Sequence, residues 1–94
     1  MDQPTYPAMI TALKRPTRKT DRHGNKYIAQ RMLVGPQKSD APAQERTVRV
    51  FGPLAGAALG ILKQGVPVPA RVAYDQFSGP DGKGQSVRII SLDA

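Results

Sequence analysis

A positive charge and an aromatic ring share one face of a short strand-like segment, and this pairing carries the clearest chemistry in the chain. From Thr47 to Phe51 the side chains alternate with period two. Arg49 and Phe51 therefore fall on one side, and Val48 and Val50 fall on the other. A guanidinium can pair with an anionic group while a ring stacks on a planar one. The pattern indicates non-covalent recognition rather than covalent catalysis.

A short helix is predicted directly after this strand. Gly52 breaks the strand, and Pro53 suits the first helical turn. Lys63 and Gly65 then close the helix. Its apolar positions form one stripe at helical spacing: Leu54, Ala57, Ala58, Ile61 and Leu62.

The chain is strongly basic, and its basic residues are clustered. Fourteen Lys and Arg against seven Asp and Glu give a formal charge of +7, which favours a polyanionic partner. Half of the basic residues lie between Lys14 and Arg31. Five of them fall within nine residues: Lys14, Arg15, Arg18, Lys19 and Arg22. This density favours a contact surface for a polyanion over a surface that only confers solubility.

The pattern predicts a single domain over residues 1–94, all-β with one short helix, in the order β-β-β-α-β-β. The first two strands are expected to form a hairpin, and Pro67 and Pro69 to confine the start of the fourth strand to a sheet edge. Residues 1–8 are expected to be flexible and residues 35–44 to form a mobile loop. This plan matches a five-stranded OB-fold barrel. The predicted strands are Met9–Lys14, Lys26–Val34, Thr47–Phe51, Val66–Phe77 and Ser86–Leu92.

Several classes of function are disfavoured by the sequence. There are no cysteines, so disulfide and thiolate metal sites are absent, which fits a reducing cytoplasm. The start carries no export signal, and the longest apolar segment, Pro53 to Leu62, is too short to span a bilayer. His23 is the only histidine and lies in a turn-rich cluster without an activated nucleophile. We expect no enzymatic activity, cofactor, metal, membrane or small-molecule substrate.

The segment Val48 to Gly65 resembles the bacterial and phage single-stranded DNA-binding protein family. In that family the third strand ends in an aliphatic-aromatic-Gly step, followed by a Leu-Ala-bearing helix that closes with Leu, a basic residue and Gly. The corresponding segment of this chain has the sequence VRVFGPLAGAALGILKQG. The likeness extends more weakly through the fourth strand, the glycine-rich hairpin and the final VRII. Residues 1–40 share only a general pattern, a basic first hairpin with a Gly-Asn-Lys-Tyr turn into a strand.

The resemblance implies non-sequence-specific binding of single-stranded DNA in replication or recombination, by base stacking and phosphate contacts. It places Phe51 at the position of a base-stacking aromatic and Phe77 close to another. Tyr27 is a further candidate for stacking. Tyr74 is a candidate too, but it shares its parity with Val68 and Val72, which favours a position in the core. The remaining predicted contacts are Arg15, Arg18, Lys19, Arg22, Lys26, Arg49, Arg71, Lys83 and Arg88.

Two departures separate the chain from a housekeeping member of that family. Where such proteins commonly place a tryptophan at the start of the third strand, this chain has Glu45 or Arg46, so weaker stacking is expected. The sequence also lacks a long extension with an acidic tip after Ser91 to Ala94. These features favour a compact phage or plasmid type, or a primosomal relative.

Two alternatives stay open at this point. An RNA-binding OB module, cold-shock-like or ribosomal, would share the fold and differ in its preference for the 2′-hydroxyl or for paired RNA. A protein-interaction module would instead use an edge strand such as Val66 to Ala73 for self-association. A homo-oligomer, either a dimer or a tetramer, is expected for a nucleic-acid-binding protein of this kind. A small barrel with open edges gains stability by association.

Overall fold

The computed structural model describes residues 3–37, 40–79 and 82–92, with the backbone alone described at 77–79 and 82–83. Within these residues, strands account for most of the chain and one helix interrupts them. The elements in chain order are β1 (Tyr6–Ala12), β2 (Lys19–Thr20), β3 (Lys26–Gly35), β4 (Gln44–Phe51), α1 (Pro53–Ile61), β5 (Pro67–Gly79) and β6 (Gly82–Leu92).

The sheet closes on itself. Its strand order is β1-β5-β6-β4-β3-β2, and β1 also pairs with β3 from Met9↔Gly35 to Ala12↔Met32. That additional ladder joins the two sides into a closed five-stranded barrel, with the two-residue β2 extending β3. All ladders are antiparallel except that between β4 and β6. The predicted OB-fold plan and the hairpin of the first two long strands are confirmed.

Closure of the barrel removes one of the two reasons for expecting a homo-oligomer. A closed barrel has no long unpaired strand edges of the kind that favour association. The expectation of a homo-oligomer therefore rests only on the small size of the domain, and it stays a prediction.

The interior is built by the predicted alternation. Val48 and Val50 of β4 are fully buried, whereas Phe51 on the opposite face is 49% exposed. The other strands contribute inward side chains in the same way, and each buried aliphatic stabilises the fold by about 1.5–3 kcal/mol. The largest fully buried apolar side chains are Ile10, Ile28, Met32, Leu62, Val48, Val50, Val72 and Val87.

The first strand begins three residues earlier than predicted. Tyr6 and Pro7 pair with Val72 and Arg71 of β5, so the strand runs from Tyr6 instead of Met9. The prolines of this segment obscured the pattern, because proline has no N–H to give to a ladder. Tertiary pairing with β5 overrides that local signal.

Pro67 and Pro69 lie where the sequence predicted them, in a stretch paired on one side. They pair with Thr11 and Met9 of β1. Within the described residues, the ladder of β5 with β6 begins only at Ala70. The missing N–H groups therefore fall in a stretch where one side of β5 makes no ladder.

A β-bulge near the end of β6 reverses the predicted phase of the last residues. Val72 pairs with Ile89 and Arg71 pairs with Ser91, so Ile90 is the extra residue and is 41% exposed. Alternation continued from Val87 and Ile89 predicts Ser91 on the inner face, whereas it is Leu92 that packs against the core. An extra residue in one strand shifts every later side chain to the other face.

The helix follows β4 through a turn that requires glycine. Gly52 adopts φ 66° and ψ −147°, and its N–H donates to the carbonyl of Lys26 at 3.2 Å. The buried stripe consists of Ala55, Ala58 and Leu62, whereas Ala57, predicted to face the core, is exposed. The helix has alanine both at the buried position 55 and at the exposed position 57, so the spacing of apolar residues did not show which of the two faces the core. Within the described residues, no helix combines the length and apolar character that spanning a membrane requires.

Replacing Gly52 with Ala should destabilise the fold by about 1–3 kcal/mol, because its φ and ψ belong to a region that is almost exclusive to glycine. Gly60→Ala is the matched control, since a Cβ at Gly60 meets no atom within 4 Å and the residue lies in α1. It should leave stability unchanged or raise it slightly. Urea unfolding of both variants checks this, and equal midpoints for Gly52→Ala and wild type would contradict it.

Candidate nucleic-acid interface

Three side chains stand side by side on the outer face of β2, β3 and β4. Lys19 pairs directly with Tyr27, and Tyr27 pairs directly with Phe51. Directly opposed residues of antiparallel strands share one face, so a cation and two rings form a continuous line that we call the ring row. The ring centroids of Tyr27 and Phe51 are 6.5 Å apart with an interplanar angle of 31°. The two rings form one tilted aromatic surface, in which Phe51 is exposed and Tyr27 is half-buried.

A row of arginines lies next to the ring row, two residues along β4. Ala29, Arg49, Arg88 and Ala73 are successive cross-strand partners on β3, β4, β6 and β5. We call Arg49 and Arg88 the arginine row. Arg49 is exposed and, among the described residues, makes no hydrogen bond or ion pair. Its guanidinium is therefore available to an external anion.

One carboxylate lies within this cationic face. Asp75 accepts a hydrogen bond from Arg88 Nε at 3.1 Å and another from Gln3 Nε2 at 3.1 Å. The hydrogen bond from Arg88 is the main reason why the pKa of Asp75 lies below its usual value of 3.8, with smaller contributions from Gln3 and Arg49. Asp75 is thus firmly ionised at neutral pH and offsets part of the positive charge of the arginine row.

The far side of the face is neutralised by a second ion pair. Arg31, which pairs with Thr47 across β3 and β4, donates to Glu45 Oε1 at 3.2 Å and to Thr47 Oγ1 at 3.3 Å. Both charged side chains are more than half exposed, so the pair adds little stability. It does limit the positive potential at this end of β4 and leaves Arg49 as the freer cation.

The basic segment is held against the barrel by one side chain. Gln30 of β3 accepts a hydrogen bond from the N–H of Thr17 at 3.2 Å and donates to the carbonyl of Lys14 at 3.2 Å. Pro16 is buried between these contacts. Arg18 lies over α1, where a Cβ added at Gly56 would come within 3.3 Å of Arg18 Nη1. The segment is therefore docked on the barrel.

A tight turn beside the ring row explains the lone histidine. Asp21 accepts hydrogen bonds from the N–H groups of His23 at 2.8 Å and Asn25 at 2.9 Å, and Gly24 adopts φ 84°. These bonds, chiefly that from Asn25, lower the pKa of Asp21. His23 contributes its backbone to the turn. The turn and the rings border an open cleft of about 430 Å³ lined by Asp21, Asn25, Lys26, Tyr27, Phe51 and Gly52.

The structure divides the residues predicted from sequence into groups. Arg71 lies on the β1–β5 side and donates to Thr5 Oγ1 at 3.2 Å. Tyr74 is half-buried and packs against the core, and Lys26 donates to Thr20 Oγ1 at 2.6 Å. The side chains of Phe77 and Lys83 lie outside the described residues, and Arg15 and Arg22 are exposed in the segment between β1 and β3. Those brought together on the sheet face are Lys19, Tyr27, Arg49, Phe51 and Arg88.

Sequence reasoning missed Gln30 and Gln3, which position charged residues without carrying charge themselves. Their roles depend on partners 13 to 85 residues away in the chain, for which the sequence gives no signal. Arg31 had a signal, since it shares its parity with Tyr27 in the second long strand. Among the described residues, no group of three or more His, Cys, Asp or Glu side chains could hold a metal ion.

Solved structures similar to this chain are single-stranded DNA-binding proteins. A small one from Streptomyces coelicolor matches with a TM-score of 0.66 at 19% identity, covering 100% of this chain and 93% of that one. One from Thermus aquaticus matches with a TM-score of 0.70 at 14% identity, covering 99% of this chain and 50% of that one. The mitochondrial single-stranded DNA-binding protein Rim1 from S. cerevisiae matches with a TM-score of 0.71 at 14% identity, covering 98% of this chain and 95% of that one.

These likenesses confirm the resemblance at the level of the fold. No protein-family model and no curated protein sequence matches the chain. The compact phage or plasmid type stays a prediction.

The pKa of Asp75 should rise toward 3.8 in an Arg88→Gln variant, because the hydrogen bond that stabilises the ionised form is lost. A folded-state pKa below the unfolded value contributes stability above pH 3.8, and that contribution is lost as the pH falls through the lowered value. The variant should therefore lose more stability at pH 7 than in acid.

Carboxyl-carbon NMR titration of Asp75 measures this pKa directly. Arg31→Gln is the control, since its carboxylate partner is Glu45, and it should leave the Asp75 titration in place. An Asp75 pKa that is the same in wild type and Arg88→Gln would contradict the assignment.

Proposed function

We propose that this protein binds single-stranded DNA, with little sequence preference, on the outer face of β3, β4 and β6. The observation that carries the proposal is the ring pair of half-buried Tyr27 and exposed Phe51 beside Arg49, which has no ion-pair partner among the described residues. An unpaired strand presents base faces and phosphates together, and a binder needs rings for the first and cations for the second. Duplex DNA hides its base faces in the stack and would use only the cations.

The spacing of the two rows suits this ligand. Two residues along a strand correspond to about 6.4–6.8 Å, so Arg49 lies one short step from Phe51 on the same face. A base stacked on the ring pair would have its own phosphate, or that of its neighbour, within reach of the arginine row. Stacking of this kind contributes about 1–3 kcal/mol per base and tolerates any base, because every base has a π face.

The arginine row also has an energetic cost that a ligand would relieve. Arg49 and Arg88 are direct cross-strand partners, so their like charges repel each other, and Asp75 offsets only part of that repulsion. Such local conflicts concentrate at functional surfaces. A phosphate placed between the two guanidinium groups would reverse the sign of the interaction.

The wider footprint and biological role are part of the same proposal. The docked basic segment extends the cationic surface from the ring row. The structurally similar proteins bind single-stranded DNA, which supports the same ligand for this chain. The role we propose is to protect or organise single strands during replication or recombination, without enzymatic activity. The proposed contacts beyond the two rows are Arg15, Arg18, Arg22, Lys26, Arg71, Tyr74, Phe77 and Lys83.

Fluorescence anisotropy with labelled dT oligomer, matched RNA and duplex DNA, each at two salt concentrations, tests the proposal. We expect the dT oligomer to bind most tightly and all affinities to fall with salt. Preference for RNA would instead support an RNA-binding module of the same fold. Absence of binding to all three at low salt would reject the proposal in favour of a protein-interaction module.

Phe51→Ala should weaken binding of a dT oligomer by about 5- to 100-fold, the equivalent of one lost stacking contact, without unfolding the domain. Leu59→Ala is a matched control, because Leu59 is also an exposed apolar residue, at 37%, but lies on α1. Anisotropy titrations give both affinities. Unchanged affinity in Phe51→Ala would remove the ring pair from the binding site.

Arg49→Gln should reduce the salt dependence of binding as well as the affinity. Each phosphate neutralised on a single strand contributes roughly −0.7 to the slope of log K against log salt, so the slope should become shallower by about that amount. Lys63→Gln removes the same charge from an exposed residue of the segment after α1, which belongs to neither row, and should leave the slope unchanged. Equal slopes for Arg49→Gln and wild type would show that Arg49 makes no phosphate contact.

A further inference from the structure

A second pair of aromatic rings lies at the end of the barrel away from α1. Tyr6 begins β1, whereas Ala12 ends that strand beside Gln64 and Gly65, which follow the helix. The ring centroids of Tyr6 and Tyr74 are 5.7 Å apart with an interplanar angle of 53°. Tyr6 is 48% exposed, and Tyr74 packs against the core. One ring is thus anchored and presents the other to solvent.

The pair borders an open cleft whose other polar walls are amides. The cleft measures about 310 Å³ and is lined by Gln3, Pro4, Tyr6, Tyr74, Gln76 and Gln85. The side chains of Gln76 and Gln85 have no hydrogen-bond partner among the described residues. A glutamine amide both donates and accepts, which is the complement of a base edge. A ring surface combined with free amides is suited to a planar heterocycle.

Two arginines flank the cleft through the segment that precedes β1. Arg71 donates to Thr5 Oγ1 at 3.2 Å and to the Thr5 carbonyl at 3.3 Å. Arg88 donates to Gln3 Oε1, and Gln3 in turn donates to the carbonyl of Tyr74 at 2.8 Å. Two guanidinium groups therefore contact the segment before β1, of which Gln3 lines the cleft, and they add positive charge beside it.

Arg88 also connects this cleft to the site proposed above. It belongs to the arginine row through its pairing with Arg49, and it contacts Gln3 at the edge of the cleft. Tyr6 and Tyr74 share their parity with inward-facing residues such as Val72, so this ring pair lies at the end of the barrel and not on the outer face of the sheet. A strand that leaves the arginine row would reach the cleft around this end, past Arg88 and Gln3.

We propose that the Tyr6–Tyr74 cleft is a second base-binding site for the same single strand, in which the Gln76 and Gln85 amides contact the base edge. This inference rests on the proposed function and adds a site to it. The two guanidinium groups on the segment before β1 favour a polynucleotide over an apolar peptide or a second copy of this basic chain.

Tyrosine fluorescence provides a direct test, because the chain has three tyrosines and no tryptophan. In a Tyr27→Phe variant, which keeps a ring in the ring row, all tyrosine emission comes from Tyr6 and Tyr74. A dT oligomer of about 12 nucleotides is added while anisotropy of a label on the oligomer reports binding. N-acetyltyrosinamide corrects for absorbance by the bases.

We expect tyrosine emission to be quenched with the same midpoint as the anisotropy change. Anisotropy that saturates without quenching would overturn the second site while leaving the proposed function intact. Absence of any anisotropy change, for wild type as well as the variant, would reject the proposed function itself and the second site with it.

The Tyr6→Ala variant tests the energetic contribution. It should weaken binding of the 12-nucleotide oligomer by about 5- to 100-fold, whereas an oligomer of about four nucleotides, which the ring row and arginine row can hold, should lose less than twofold. Val66→Ala, at 49% exposure and on the other end of the barrel, is the control and should bind both oligomers as wild type does.

Equal losses for the two oligomers would overturn the separate site. So would a Tyr6→Ala variant that keeps wild-type affinity but changes its sedimentation coefficient, since the ring pair would then be a contact between copies of the chain.

Discussion

Closure of the sheet into a barrel is the constraint on which the rest of this structure depends. When β1 pairs with β3 as well as β5, every long strand must give one set of side chains to the interior and the other to solvent. In β4 both sets have a purpose. Val48 and Val50 fill the core, and the same alternation forces Arg49 and Phe51 outward. Fold and binding surface are thus two consequences of one pattern.

Register turns this alternation into a site. Tyr27 stands opposite Phe51, and Arg49 beside Arg88, because the ladders of β4 with β3 and β6 fix these pairs. A slip of one residue would send all of them into the core. The charge on the face is moderated by Asp75, which keeps two adjacent guanidinium groups compatible with a stable sheet. The surface therefore places cations and rings side by side, which is the combination that the proposed binding of single strands requires.

The sequence was sufficient for whatever depends on local periodicity. The outward placement of Arg49 and Phe51, the helix after Gly52 and the five long strands all follow from spacing and turn residues. It was insufficient where distant partners decide the outcome. Nothing local indicates that Gln30 fixes the basic segment or that Tyr6 meets Tyr74, and a bulge at Ile90 cannot be read from alternation because it breaks it. Local patterns predicted the rows, and tertiary pairing decided which residues complete them.

The central claim is that an unpaired base lies on the rings of Tyr27 and Phe51. Intermolecular NOEs between a bound dT oligomer and the labelled protein test this most directly, because they report only protons in close contact. We expect NOEs from thymine methyl and sugar protons to the Phe51 and Tyr27 rings, with upfield ring-current shifts of the thymine signals. A bound oligomer whose NOEs fall only on other surfaces, with the Phe51 ring protons unshifted, would contradict the account.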